Sequence, residues 1–264
     1  MKKPDKIQEP YINLLCRALQ LFYENDAKAM FDKPQAKTKL EAGGKGEKIK
    51  IVNERAMAGC VYRYMWCMMH QKISDIPASD IDIEYDRMIK DESEYYEKEI
   101  ACECERVNCS KRSHCIKVIV DEIQQRRGLG NSEDGGVVAK DGIRAAVRPD
   151  IIVHNRNKNG LTNNGLIVEF KKEREKLCAD DIKFDIAKLY YFTCQDECTK
   201  FHYKVGAMVL LHFTYADVCF MADKEMSLRY KVDAKGMKRV SGESVQDDLL
   251  YNAFCGQKCP LSKL

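Results

Sequence analysis

Arg148-Pro149-Asp150-Ile151-Ile152-Val153 and Leu166-Ile167-Val168-Glu169-Phe170-Lys171 flank an eleven-residue stretch, Asn155 to Gly165, made mostly of asparagine and glycine. Apolar runs rich in β-branched residues around such a stretch predict a β-hairpin with a long tip. Setting Asp150 opposite Glu169 centres the tip between Asn159 and Gly160. Opposed residues of an antiparallel pair share a face, with Cβ atoms about 4.5–5.5 Å apart, so the two carboxylates should stand side by side. Alternation places Lys171 on that face and turns Phe170 into the core. Adjacent carboxylates repel unless a proton or cation is shared between them. An oxygen-only donor set suits magnesium or manganese. A cation held there lowers the pKa of water, and a neighbouring lysine can orient or activate that water or neutralise charge on a phosphate. The expected chemistry is phosphodiester hydrolysis.

Outward from the hairpin, Ile12, Leu15, Cys16, Leu19, Phe22 and Tyr23 recur at helical spacing and predict a helix over 10–31. Residues 33–48, with Pro34 and three glycines among lysines, read as a mobile basic loop. A second, more apolar helix is expected from about Val52 to Lys72, with Asn53 as N-cap and Glu54 in its first turn. Trp66, among Met65, Cys67, Met68 and Met69, reads as buried core. Alternation of Ile81, Ile83 and Tyr85 against acidic residues predicts a half-buried strand over 80–87, and 116–120 reads as a short strand. Residues 90–142 are polar, cysteine-bearing and glycine-rich, and are treated as an insertion. A helix is expected over 180–192 and strands over 205–213 and 216–221. One α/β domain follows, with a central mixed sheet of four or five strands and helices on both faces.

The paired motifs resemble those of the PD-(D/E)XK nuclease superfamily, in which an acidic residue follows a proline and Glu-x-Lys lies on the next strand. The resemblance spans roughly residues 50–215, although only about two dozen residues carry it. It implies a restriction-endonuclease-like core in which Asp150, Glu169 and the backbone carbonyl of Phe170 hold Mg2+ or Mn2+ and Lys171 assists the water. It also implies a further glutamate from the helix preceding the sheet, a role that Glu54 matches and for which Glu84 is the rival. A polar residue facing the site is expected from the helix after Glu-x-Lys, and Lys188 fits. The Gln-x-x-x-Tyr pattern of the RecB-like branch is absent, since Lys188 and Phe192 stand there.

Cys102, Cys104, Cys109 and Cys115, with His114 beside the last, offer enough thiolate for a Zn2+ site that would help fold the insertion. Exposed thiols are the plainer reading. Cys194 and Cys198, with Cys255 and Cys259, could form a second four-thiol site. His154 falls on the face of Asp150, where a hydrogen-bonded structural histidine is expected ahead of one touching substrate. Lys171, Lys172, Arg174 and Lys176 could hold phosphates, but Glu173 and Glu175 interleave them and make a solvated charged face equally credible. Tyr190, Tyr191 and Phe192 read as core.

The net charge of +3 neither announces nor excludes a nucleic-acid binder. The sequence has no transmembrane run, and Met1-Lys2-Lys3-Pro4 is not followed by an apolar signal core. With 13 cysteines, an odd number, a cytoplasmic protein with reduced thiols is expected. The expected function is a metal-dependent deoxyribonuclease, with RNA and the choice of endo- or exonuclease left open. A role in defence against foreign DNA is an expectation from the resemblance. No separate sequence-reading module is visible, so target choice falls to structure, the insertion or a partner protein, and a homodimer stays open. The alternatives are a non-catalytic nucleic-acid- or protein-binding module on the same fold and a zinc-organised interaction protein.

Overall fold

The computed structural model of the chain describes residues 8–31, 54–74, 76, 80–83, 87–91, 94–97, 99–100, 138–139, 142–143, 145–146, 149–155, 163–173, 179–194, 201–222 and 225–240. The expected basic loop at 33–48 and the short strand at 116–120 lie outside these residues, as do Asn53, Glu84, Arg174 and Lys176. So do Cys102, Cys104, Cys109, Cys115, His114, Cys198, Cys255 and Cys259.

Helix α1 (Glu9–Asn25) begins with Pro10 in its first turn and buries Ile12, Leu15, Cys16, Leu19, Phe22 and Tyr23. The single helix expected over 10–31 is broken at Asp26, and α2 (Ala27–Phe31) follows as a separate short element. The break is occupied by a polar tie. Asp26 Oδ2 accepts hydrogen bonds from Arg63 Nη2 at 3.0 Å and Tyr64 Oη at 2.7 Å, both on α3 (Glu54–His70). On α3 the buried residues Met57, Ala58, Val61, Met65 and Met68 set the inward phase. Trp66 is therefore turned away from the core. It is 43% exposed and stacks on His70 at 4.0 Å between ring centroids, so its expected burial is wrong: one residue past Met65 is about 100° around the helix.

The strands are β1 (Asp80–Ile83), β2 (Arg87–Asp91), β3 (Glu94–Glu97), β4 (Glu99–Ile100), β5 (Val138–Ala139), β6 (Gly142–Ile143), β7 (Ala145–Ala146), β8 (Ile151–His154), β9 (Asn164–Lys172), β10 (Val205–Leu211), β11 (Tyr215–Ala222), β12 (Glu225–Asp233) and β13 (Gly236–Arg239). A seven-stranded mixed sheet runs β1-β8-β9-β10-β11-β12-β13, larger than the four or five strands expected. β2 pairs with β3, β4 with β7 and β5 with β6 in separate two-stranded ribbons, so part of the supposed insertion is strand. In the main sheet β9 and β10 are parallel and every other neighbouring pair is antiparallel. Parallel strands need a crossover, and here it contains α4 (Ala179–Thr193).

The sheet is covered on both sides, which is why β9 and β10 are apolar on both faces. Ile151, Val153, Leu166, Val168, Phe170, Val209 and Leu211 join the core beneath α1 and α3. α4 packs on β9, β10 and β11, placing buried Ile182, Ile186, Leu189 and Phe192 over the opposite face. Tyr191 is buried and Tyr190 partly so. Ile81 is buried, but Ile83, expected on the same covered face, is exposed at the end of the edge strand.

The hairpin has the register expected for Asp150 and Glu169, with Ile151 opposite Val168 and Val153 opposite Leu166. The strand itself begins at Ile151, and Asp150 lies at the bend before it. The register slips between Val153 and His154, where Gly165 is the extra residue. A Cβ on Gly165 would collide with the Tyr11 ring, so the missing side chain is what lets α1 close over this end of the sheet. Gly165→Ala is therefore expected to cost about 1–3 kcal/mol through overpacking. Thermal denaturation checks this, and an unchanged melting temperature would show that Tyr11 moves aside freely.

Candidate active site

β9 is nine residues long and β8 only four, so the C-terminal end of β9 runs past its partner. The backbone N–H groups there face the edge that β8 has vacated, and each needs an acceptor. The Asp150 N–H still donates to the Val168 carbonyl at 3.2 Å, which fixes the direction of this edge. Two residues on, the Phe170 N–H donates to Asp150 Oδ2 at 2.7 Å. Two further on, the Lys172 N–H donates to Glu54 Oε2 at 2.9 Å. Because a strand residue presents its N–H and C=O to the same edge, the Phe170 carbonyl also faces the Asp150 side. Asp150, from the bend before β8, and Glu54, from the first turn of α3, are thus drawn to one strand end by backbone hydrogen bonding.

Side chains of β9 alternate, so Glu169 and Lys171 project toward α4 while Phe170 enters the core beneath α1 and α3. From α4, Asp185 and Lys188 meet them. Lys171 Nζ lies 2.6 Å from Asp185 Oδ2 and 3.7 Å from Glu54 Oε1. Lys188 Nζ lies 2.9 Å from Glu169 Oε1 and 2.7 Å from Asp185 Oδ1. Glu169 and Asp185 are each only 3% exposed. Of the residues singled out from the sequence, the structure gathers Asp150, Glu54, Glu169, Phe170, Lys171 and Lys188 at this strand end. His154 stands at the other end of β8, where Nε2 lies 2.8 Å from Asp82 Oδ2, a buried structural pairing. Sequence reading passed over Asp185. The available signal was its place three residues before Lys188, which puts both on one helical face.

Burial is the largest influence on both carboxyls of the pair. It pushes Asp150 up to about 6, against the Phe170 hydrogen bond and the charges of Lys188 and Lys171. It pushes Glu169 up to about 8, where the charge of Lys188 is outweighed by burial together with Asp185 and Asp150. Lys171 loses hydration on burial, but the charge of Asp185 and the hydrogen bond to it, with Glu54 and Glu169, hold its pKa above the ordinary value. Lys188 is raised in the same way by Glu169 and Asp185. The charge of Glu169 is the largest influence raising Lys188, and that of Lys188 the largest lowering Glu169, so the two titrate as one pair. Lys171 is an ammonium near neutral pH, so it can donate hydrogen bonds to water or to a developing anion but cannot take a proton.

The set fits a hard divalent cation. Asp150, Glu169 and the Phe170 carbonyl supply oxygen donors, and four carboxyl groups face two ammoniums, so a cation that displaced the protons favoured on Asp150 and Glu169 would meet negative charge. Among the described residues, no three His, Cys, Asp or Glu side chains are gathered closely enough to hold a metal ion by themselves. The described cysteines Cys16, Cys60, Cys67, Cys194 and Cys219 belong to no such group. No described helix is long and apolar enough to cross a membrane.

Beyond Lys171, the chain continues to Glu173, whose Oε2 lies 2.8 Å from His212 Nδ1. His212 Nε2 lies 3.1 Å from Asp217 Oδ2, and Asp217 Oδ1 lies 3.3 Å from Arg229 Nη2. Nothing in the sequence reading marked this second charged network. No protein-family model, curated protein or solved structure matches the chain.

A carboxyl whose pKa is higher in the folded state keeps its proton after the unfolded chain has released it. Stability therefore falls as pH rises between the two values. For Glu169 that window runs from the ordinary 4.5 to about 8. Melting temperatures in EDTA should decline across it, and Glu169→Gln should flatten that decline. An equal decline in both proteins would contradict the assignment of the proton to Glu169.

Proposed function

We propose that the protein is a divalent-cation-dependent nuclease of the PD-(D/E)XK type that hydrolyses phosphodiester bonds in DNA. The observation that carries this reading is the meeting of Asp150 and Glu54, which are distant in the chain, with Glu169 and Lys171 at one strand end. The chain order agrees with the resemblance: a helix bearing Glu54 precedes the sheet, the Asp150 and Glu169-Phe-Lys171 strands pair, and a helix bearing Lys188 follows. The restriction-endonuclease-like core belongs to the same proposal.

Mg2+ or Mn2+ would be held by Asp150, Glu169 and the Phe170 carbonyl, and when bound would supply Lewis-acid activation of water and of the phosphate. The protein's own groups do the rest. Asp150 is kept in place by the Phe170 N–H, which fixes one donor relative to the strand that carries the other. Lys171 presents its protons to the attacking water and to the charge growing on the phosphate, which is electrostatic stabilisation by a preset cation. Glu54 and Asp185 hold that ammonium from two sides and limit where it can point. An ammonium does not accept the water's proton, so Lys171 orients and neutralises in this reading.

Purified protein should cleave linear and circular DNA with Mg2+ or Mn2+ and not in EDTA. Asp150→Ala and Lys171→Ala should each lower the rate by at least about a hundredfold. Cleavage of circles would assign endonuclease action. If neither DNA nor RNA is cut under any of these conditions, the hydrolytic reading fails and a nucleic-acid- or protein-binding module takes its place.

A further inference from the structure

Lys188 holds an unusual position for a residue outside the paired motifs. Its ammonium is buried between two carboxylates that are themselves buried, 2.9 Å from Glu169 Oε1 and 2.7 Å from Asp185 Oδ1. Holding an ammonium out of water is costly, so it persists only with close oxygen partners, and Glu169 and Asp185 both reach this one. Asp185 divides its oxygens, with Oδ1 toward Lys188 and Oδ2 toward Lys171. Glu169 thus has a cation on it already, supplied by the protein, at the carboxylate assigned above to the divalent ion.

Building on the cation site proposed above, we propose that Lys188 competes with the divalent cation for Glu169. Loading is then an exchange in which Lys188 leaves Glu169 and stays on Asp185. The exchange needs a second anchor that survives it, and Asp185 provides one from the same helix, three residues earlier. Electrostatics requires the competition, because an ammonium and a dication on one carboxylate repel strongly in a site shielded from water. Lys188 therefore sets the free-cation concentration at which the site loads. It is a positioning residue that acts through Glu169. A lysine that merely supported the fold, or one that aided the metal, would act in the opposite direction or not at all.

The sign of one measurement separates these possibilities. Mn2+ is titrated calorimetrically into the metal-free full-length protein, comparing wild type, Lys188→Gln, Lys188→Met and Asp150→Asn. Both Lys188 variants should bind Mn2+ at least about tenfold more tightly than wild type, and Asp150→Asn should bind it more weakly. Unchanged or weaker binding in the Lys188 variants, with Asp150→Asn still weakened, overturns the exchange and leaves the cation site standing. Absence of Mn2+ binding in every protein overturns both. If neither Lys188 variant shows a cooperative melt, the test moves to wild-type protein labelled at the lysine ε-carbons. The Lys188 resonance, identified by its loss in Lys188→Arg, should shift on saturation with Mg2+. A resonance that stays in place overturns the exchange.

Discussion

The end of β9 carries two backbone N–H groups for which β8 is too short to supply acceptors. Leaving either unpaired in a partly buried position would cost on the order of 1–3 kcal/mol, so the chain brings acceptors from elsewhere. Asp150 takes the Phe170 N–H and Glu54 takes the Lys172 N–H. The same two bonds that complete the strand edge deliver Asp150 to Glu169 and Glu54 to Lys171. Strand mismatch, a feature of fold geometry, thus concentrates negative charge at one place. Lengthening β8 by pairing would remove the need for both acids and disperse the site.

Charge at that strand end would be untenable without α4. The helix lies across β9 and β10 as the crossover that their parallel pairing demands, and among the buried residues of its inner face Asp185 and Lys188 are the charged ones described. Those two residues knit Glu169 and Lys171 into one network. Compensation remains incomplete, since burial and the surplus of acids push both Asp150 and Glu169 toward their protonated forms. A structure selected for stability alone would fill this space with apolar side chains at no loss. Retention of under-compensated acids and a charged lysine, all converging on a strand end, is the physical basis for reading the place as chemical.

The hairpin was legible because the β-branched runs Ile151–Val153 and Leu166–Val168 bracket a turn-forming stretch whose centre sets the register that pairs Asp150 with Glu169. Glu54 and Lys188 came from the resemblance, and their side chains stand where Lys171 and Glu169 reach. Asp185 was passed over for a specific reason: an acid inside a helical stripe reads as a solvent-facing position unless its spacing from Lys188 is weighed. Trp66 misled because a run of large apolar residues carries no phase, and only Met57, Val61, Met65 and Met68 together set it. The β12–β13 hairpin could have been read from the alternation of Leu228, Tyr230 and Val232 and from Gly236, whose φ of 131° suits the turn. Stopping at Met221 accounts for the undercounted sheet.

The acids gathered by the β9 overhang are proposed to hold a divalent cation. Crystals of the full chain soaked in Mn2+ and recorded at the manganese absorption edge test it most directly. The account predicts one anomalous peak within coordination distance of an Asp150 carboxylate oxygen, a Glu169 carboxylate oxygen and the Phe170 carbonyl. A strand end with no peak at saturating Mn2+, its acids still engaged only with Lys171, Lys188 and the backbone, would contradict it.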